Sequence, residues 1–155
     1  KNNRDQANIK NKELFSSGGY SKMKAITAKV TRCLPHRAKV PTCDNSGAKI
    51  IRIISVKGSK TVKGRKPTAQ VGDLVLASVI KGNPAMRKQV VPAIIVRQKK
   101  AYRRPDGTRI SFESNAAVVL KDDKGTPKGT IFKGPIAKEA AERWPRISKV
   151  ASMVI

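Results

Sequence analysis

The stretch that decides the fold is Val96-Arg97-Gln98-Lys99-Lys100-Ala101-Tyr102-Arg103-Arg104-Pro105-Asp106-Gly107-Thr108-Arg109-Ile110-Ser111-Phe112-Glu113-Ser114-Asn115-Ala116-Ala117-Val118-Val119. Apolar residues at its two ends have strand composition, and a dense run of positive charge lies between them. Arg104-Pro105-Asp106-Gly107 has Pro second and Gly fourth, the preference of a type I turn, so the chain should reverse there. One segment therefore reports both how the chain folds and what it touches.

Working outward, further short runs of Val, Ile, Leu and Ala alternate with turn residues. Strands are expected at residues 25–30, 38–42, 49–56, 74–80, 90–97, 109–112 and 116–120. Pro92 lacks a backbone donor, so its strand should lie at an edge or be interrupted by a bulge. Asp122-Asp123-Lys124-Gly125 marks another turn. One helix is expected from Pro135 to Trp144: Pro suits its first position, and Pro145 discourages continuation. Ile136, Ala140 and Trp144 repeat every four residues on its apolar side, and Glu139 and Arg143 can pair on the exposed side. The end, residues 150–155, is apolar enough to pack as a short helix or strand.

The chain has 155 residues, a hydrophobic content of 39% and an aromatic content of 4%. A single domain of this size buries roughly 68–70% of the surface its unfolded chain exposes. With so few aromatics, the core must rest on aliphatic side chains, which favours a small barrel or sandwich. Residues 1–22 are polar and rich in Asn and Lys, and are read as an extension that is disordered alone; residues 23–155 form the domain.

Charge limits the partner. There are 34 Lys and Arg against 10 Asp and Glu, a formal net charge of +24. No acid lies between Asp44 and Asp73, where Lys49, Arg52, Lys57, Lys60, Lys63, Arg65 and Lys66 occur. None lies in residues 74–105 either, against Lys81, Arg87, Lys88, Arg97, Lys99, Lys100, Arg103 and Arg104. A merely solvated face would carry interleaved acids. These cations sit in and beside strands, so the folded surface itself must be cationic, and a polyphosphate is the expected cover. A membrane surface is not expected, since no basic amphipathic helix with aromatic anchors is present. The shortage of aromatics argues against base stacking along a single strand and for folded RNA held through phosphates and minor-groove hydroxyls.

Catalytic chemistry finds little support. His36 is the one histidine, and Ser55, Ser59 and Ser78 read as ordinary strand or loop residues. Residues 58–66 resemble a phosphate loop, but the glycines are misplaced and Arg65-Lys66 stands where Lys-Ser/Thr is required. Cys33, His36 and Cys43 supply at most three of the four ligands a structural zinc needs. No metal, cofactor or enzymatic role is expected. Two cysteines make no disulfide framework, and no apolar run opens the sequence, so a reducing, cytoplasmic setting is expected.

Five blocks carry a family resemblance. They are Cys43-Asp44-Asn45-Ser46-Gly47-Ala48-Lys49, Val71-Gly72-Asp73, Ile95-Val96-Arg97 with Arg103-Arg104-Pro105-Asp106-Gly107, residues 112–118, and Pro127-Lys128-Gly129-Thr130 with Gly134-Pro135-Ile136-Ala137-Lys138-Glu139. In order and spacing they resemble the universal large-subunit ribosomal protein L-fourteen family. Met86-Arg87-Lys88-Gln89 and Glu142-Arg143-Trp144-Pro145 are similar to its archaeal and eukaryotic branch. Cys43 departs from the family's usual Ala, and Ser114 from its usual acid.

The resemblance implies a mainly β fold: a five-stranded antiparallel β-barrel with a projecting β-ribbon and a small helical C-terminal part. It implies a structural constituent of the large ribosomal subunit that binds large-subunit rRNA at the subunit-joining face and contributes to bridges with small-subunit rRNA. Neighbouring large-subunit proteins and an anti-association initiation factor are the implied protein partners. The residues expected to meet RNA are Lys49, Arg52, Lys60, Lys63, Arg65, Lys66, Arg87, Lys88, Arg97, Lys99, Lys100, Arg103, Arg104, Arg109 and Lys128. Pro135, Lys138, Arg143 and Trp144 are expected to face proteins. The alternative is a non-ribosomal RNA chaperone or translation regulator on the same barrel.

Overall fold

The structure, a computed structural model, describes residues 24–59, 61, 63 and 65–155. The expectation for residues 1–22 lies outside them. Nine strands are described: β1 (Leu34–Pro35), β2 (Lys39–Pro41), β3 (Ala48–Val56), β4 (Thr68–Ala69), β5 (Leu74–Gly82), β6 (Val90–Arg97), β7 (Tyr102–Arg103), β8 (Arg109–Ile110) and β9 (Ala116–Val119). Two short helices follow, α1 (Lys138–Arg143) and α2 (Pro145–Ser148). Five strands pair antiparallel in the order β2-β3-β5-β6-β9. β1 pairs with β4, and β7 with β8.

Side-chain alternation explains how this sheet packs. On β5, Val75, Ala77 and Val79 point inward and are buried, while Leu76, Ser78 and Ile80 are half-buried on the other side. Val40, Ile51, Ile53, Val91, Ala93, Ile95, Ala117 and Val119 join the inward set, so all five strands contribute to one aliphatic cluster. Full burial of each Val or Ile contributes about 1.5–3 kcal/mol relative to exposure. The sheet must curl around this cluster, and its outermost strands do approach: Thr42 forms a parallel bridge with Ala117, and the Cys43 N–H donates to the Ala117 carbonyl at 3.0 Å. The strand pairing itself is an open order of five, not a closed ring.

β6 and β9 are buried on both faces, which is why they read as nearly continuous apolar runs. Their outward residues Ile94, Val96, Ala116 and Val118 belong to a second cluster with Leu120, Phe132, Ile136, Ala140, Trp144 and Ile147. The helices thus seal one half of the sheet. On β2 and β3 the described residues give no such cover, and Lys39, Arg52 and Ile54 stand exposed on the outer face; on β5 only Leu74 at its start joins the second cluster.

Several expectations hold. β3, β5, β6 and β9 fall within one or two residues of their expected bounds. The turn after Arg104 is made: the Gly107 N–H donates to the Arg104 carbonyl at 3.0 Å, and Gly107 takes φ +90°, which a glycine adopts without steric penalty. Asp106 Oδ1 accepts the Thr108 N–H and hydroxyl, fixing the turn from within. The turn ending at Gly125 also forms, with its N–H on the Asp122 carbonyl.

Others are corrected. Residues 25–30 form no strand; only Lys29 bridges β7, at Arg103. The strand expected at residues 109–112 shortens to two residues, because Phe112 turns back to donate its N–H to the Gln98 carbonyl at 3.2 Å. The strand of Pro92 is not an edge, but it is interrupted by a bulge as the alternative expectation had it, between Ile95 and Arg97 and not at Pro92 itself. The Pro92 carbonyl accepts the Leu120 N–H, and the β6–β9 register begins one residue later at Ala93, so the missing donor falls at the ladder's end.

The helix starts later than Pro135, since Ile136 is held extended beside Val154, its N–H on the Met153 carbonyl and its carbonyl accepting from Ile155. Pro145 does end α1, and also takes the first position of α2. The apolar end forms only that single bridge at Val154. The hairpin of β7 and β8 has two residues per strand, with Tyr102 buried against the second cluster.

Candidate nucleic-acid interface

The structure sorts the cations into two populations. On the sealed half, basic side chains are built into the fold. Arg104 donates from Nε to Glu139 Oε1 at 2.7 Å, and from Nη2 to Oε2 at 3.3 Å and to the Ile155 carbonyl at 2.8 Å. The Tyr102 hydroxyl donates to Glu139 Oε2 at 2.6 Å. Burial alone would raise the Glu139 carboxyl, but the hydrogen bonds from Arg104 and Tyr102 outweigh it and hold the group below its ordinary range. Burial and the same carboxylate push the Tyr102 hydroxyl well above its ordinary value.

Arg97 is half-buried, its Nη1 donating to the carbonyls of Lys133 and Pro135 at 3.2 and 3.1 Å. Gly134, at φ +79°, makes room for it: a Cβ there would lie 2.5 Å from Arg97 Nη1. Arg143 donates to Asp73 Oδ1 at 3.4 Å, and burial raises the Asp73 carboxyl despite that partner and the Gln70 N–H. Trp144 is buried, and its indole N–H donates to the Gly72 carbonyl at 2.8 Å.

Three sequence expectations change here. Glu139 and Arg143 do not pair with each other on an exposed side; Glu139 is 3% exposed and belongs to Arg104. Arg97 and Arg104, grouped with the RNA-facing residues, have partners within the chain, Arg97 through Nη1 on two carbonyls and Arg104 on Glu139 and the Ile155 carbonyl. Trp144 fills this chain's own core, so its ring is not open to a protein partner, and Arg143 is held by Asp73. Of that expected protein-facing set, Lys138 is exposed, with Glu142 at 3.9 Å, and Pro135 is half-buried.

On the bare half, and around the β7–β8 hairpin, the cations are exposed. Lys49 and Arg52 project from β3; Lys63, Arg65 and Lys66 lie in the connection to β4; Arg87 and Lys88 lie between β5 and β6. Lys99, Lys100, Arg103 and Arg109 surround the hairpin, and Lys128 follows β9 with its Nζ 2.9 Å from Met86 Sδ. Lys60 lies outside the described residues. None of these exposed side chains forms an ion pair among the described residues; Lys57, in the same region, does, with Asp123.

Register makes the arrangement more pointed. Lys39 sits directly opposite Arg52, and Arg103 directly opposite Arg109, with Lys29 opposite Arg103 on its other side. Like charges in cross-strand positions destabilise a sheet by about 0.2–1 kcal/mol, which an anion laid across them removes. The backbone gives a parallel signal. Among the described residues, the ones other than glycine with left-handed φ are Arg37 at 69°, Lys63 at 53° and Lys88 at 65°. Such a conformation costs an L-residue roughly 1–2 kcal/mol, and all three are cations. Lys29 and Lys39 were missed as site residues because only register, not composition, sets them beside arginines.

Among the described residues no cluster of three or more His, Cys, Asp or Glu could hold a metal ion. Cys43 is buried, which pushes its thiol up to about 11, and Cys33 is raised by burial as well. No helix of the described residues is long and apolar enough to cross a membrane.

Fold and charge together define a class: a small, strongly basic β-sheet protein of the kind that faces a polyanion. Comparison with known proteins narrows it. A family described as Ribosomal protein L14p/L23e matches residues 33–155. Large ribosomal subunit protein uL14 of Nanoarchaeum equitans is 53% identical over 133 residues, covering 86% of this chain and 100% of the relative. Proteins of the same name from Methanococcus vannielii and Picrophilus torridus are 52% identical over 132 residues and 53% identical over 133. The chain belongs to this family of ribosomal proteins.

Proposed function

We propose that the chain is a structural constituent of the large ribosomal subunit, as the names of its relatives indicate for them, and that it acts without catalysis. Its bare half binds large-subunit rRNA. The observation that carries this reading is the contrast among the cations: Arg97, Arg104 and Arg143, beside the helices, have partners within the chain, while Lys39 with Arg52 and Lys29 with Arg103 and Arg109 face outward in like-charged rows.

The subunit-joining face, with bridges to small-subunit rRNA, is the location the family resemblance supports. The exposed turn at residues 105–107 and the cations around it would serve as the bridging ribbon. In the same reading the five strands close as a barrel, supported by the Thr42–Ala117 bridge and by a core cluster that draws on every strand. The helical end, with Lys138 and the exposed Met153, Val154 and Ile155, is where neighbouring ribosomal proteins and an anti-association initiation factor would dock. Residues 1–22 are the extension of this single domain.

The test is sedimentation of tagged protein through a gradient at moderate salt. Recovery with large subunits is expected. A predominantly ribosome-free pool would overturn the reading in favour of a free RNA chaperone or regulator.

A further inference from the structure

A cleft of about 350 Å³ opens beside the β7–β8 hairpin, lined by Lys29, Thr31, Tyr102, Arg103 and Arg109 among others. Tyr102 and Ile110, paired across the hairpin, point into the protein, so their neighbours Arg103 and Arg109 point out together. Lys29 extends that outward row by its bridge to Arg103, giving three exposed cations side by side across three chain segments. None has an acidic partner within ion-pair distance among the described residues.

The row is held by a group unrelated to charge. Gln98 is fully buried, and all its side-chain hydrogen-bonding atoms are used: Nε2 donates to the carbonyls of Thr31 and Lys100 at 3.1 and 2.9 Å, and Oε1 accepts the Val71 N–H at 3.1 Å. The Thr31 hydroxyl adds a bond to the Ala101 carbonyl at 3.3 Å. Residues 29–31 are thereby fixed alongside residues 100–103. A buried amide that ties two segments so that three like charges align, with no acid paired to any of them among the described residues, is the geometry of a preorganised anion seat.

We propose that this cleft is a discrete seat for the RNA phosphate backbone, with Lys29, Arg103 and Arg109 holding adjacent phosphates of one RNA segment and Gln98 acting as the positioning residue. It rests on the RNA-binding reading above and adds to it a single site with a defined occupant. Arg104, next in sequence to Arg103, has no part in it, because its guanidinium is bound to Glu139 on the protein's inner side.

The experiment is hydroxyl-radical footprinting of deproteinised large-subunit rRNA with the full chain and with Lys29→Ala, Arg103→Ala, Arg109→Ala and Arg52→Ala, together with salt titrations. Loss of protection at the same nucleotides in the first three variants, each lowering the salt slope by about 1, supports the seat. Gln98→Leu should weaken protection at those nucleotides while leaving the Arg52-dependent ones protected. If the three variants lose different nucleotides, or none while Arg52→Ala loses some, the seat is overturned and RNA binding by the bare half stands. If no variant, Arg52→Ala included, alters the footprint, the RNA-binding reading falls with it.

Discussion

The two halves of the sheet use the same kind of residue for opposite ends. Over β6 and β9 the helices exclude water, so Arg97, Arg104 and Arg143 are seated on carbonyls or carboxylates and serve as struts. Over β2 and β3 none of the described residues covers the outer face, and Lys39, Lys49 and Arg52 are exposed there. Adjacent residues show the contrast most sharply: Arg103 faces a cleft lined with other cations, and Arg104 binds a carboxylate that is 3% exposed. What separates the populations is a partner within the chain, a carboxylate for Arg104 and Arg143 and backbone carbonyls for Arg97, not position in the charge run.

The largest effect expected from this contrast is at Trp144. Trp144→Ala removes a ring that seals β6 and β9 and frees the Gly72 carbonyl, and should destabilise the protein by about 3–5 kcal/mol in chemical denaturation. A loss under 1 kcal/mol would mean that the ring faces outward, toward a partner.

Next comes Glu139. Glu139→Gln leaves Arg104 half-buried without its counter-charge and should cost about 1.5–3 kcal/mol near neutral pH. The Glu139 carboxyl is held below its unfolded value in the folded state, so its contribution is complete above the unfolded carboxylate range and lost as pH falls through the folded one. The gap between wild type and variant should therefore shrink on acidification. A pH-independent gap would show that the carboxylate's charge is not what holds Arg104.

Much of this architecture was legible from local pattern, and the division of the cations was not. β6 and β9 were visible because burial on two faces demands uninterrupted aliphatic residues. The turn at 104–107 was visible because Pro and Gly carry their own backbone geometry, and Pro145 stopped α1 by the same logic. Arg104 and Glu139 lie 35 residues apart, and no spacing rule joins them. The Lys39–Arg52 row depends on a β2–β3 register, and the Lys29–Arg103 contact on a single bridge stabilised by Gln98. Residues 25–30 looked like a strand because Ala28 and Val30 do turn inward against the second cluster, yet they lack a ladder to join. Like-charged neighbours across strands are a property of pairing, so composition announced the cationic surface and structure located its unpaired part.

The most direct test of the central claim sets Arg52→Ala against Arg104→Ala, measuring in each variant both the folding free energy at low salt and the affinity for large-subunit rRNA. Removing Arg52 relieves its repulsion with Lys39, so stability should stay level or rise by about 0.2–1 kcal/mol, while RNA affinity falls and its salt slope drops by about 1. Removing Arg104 should lower stability by about 1.5–3 kcal/mol and leave the RNA affinity of the folded protein nearly unchanged. If Arg52→Ala destabilises as much as Arg104→Ala, or Arg104→Ala weakens RNA binding as much as Arg52→Ala, the division of the molecule into a sealed structural half and a bare binding half is wrong.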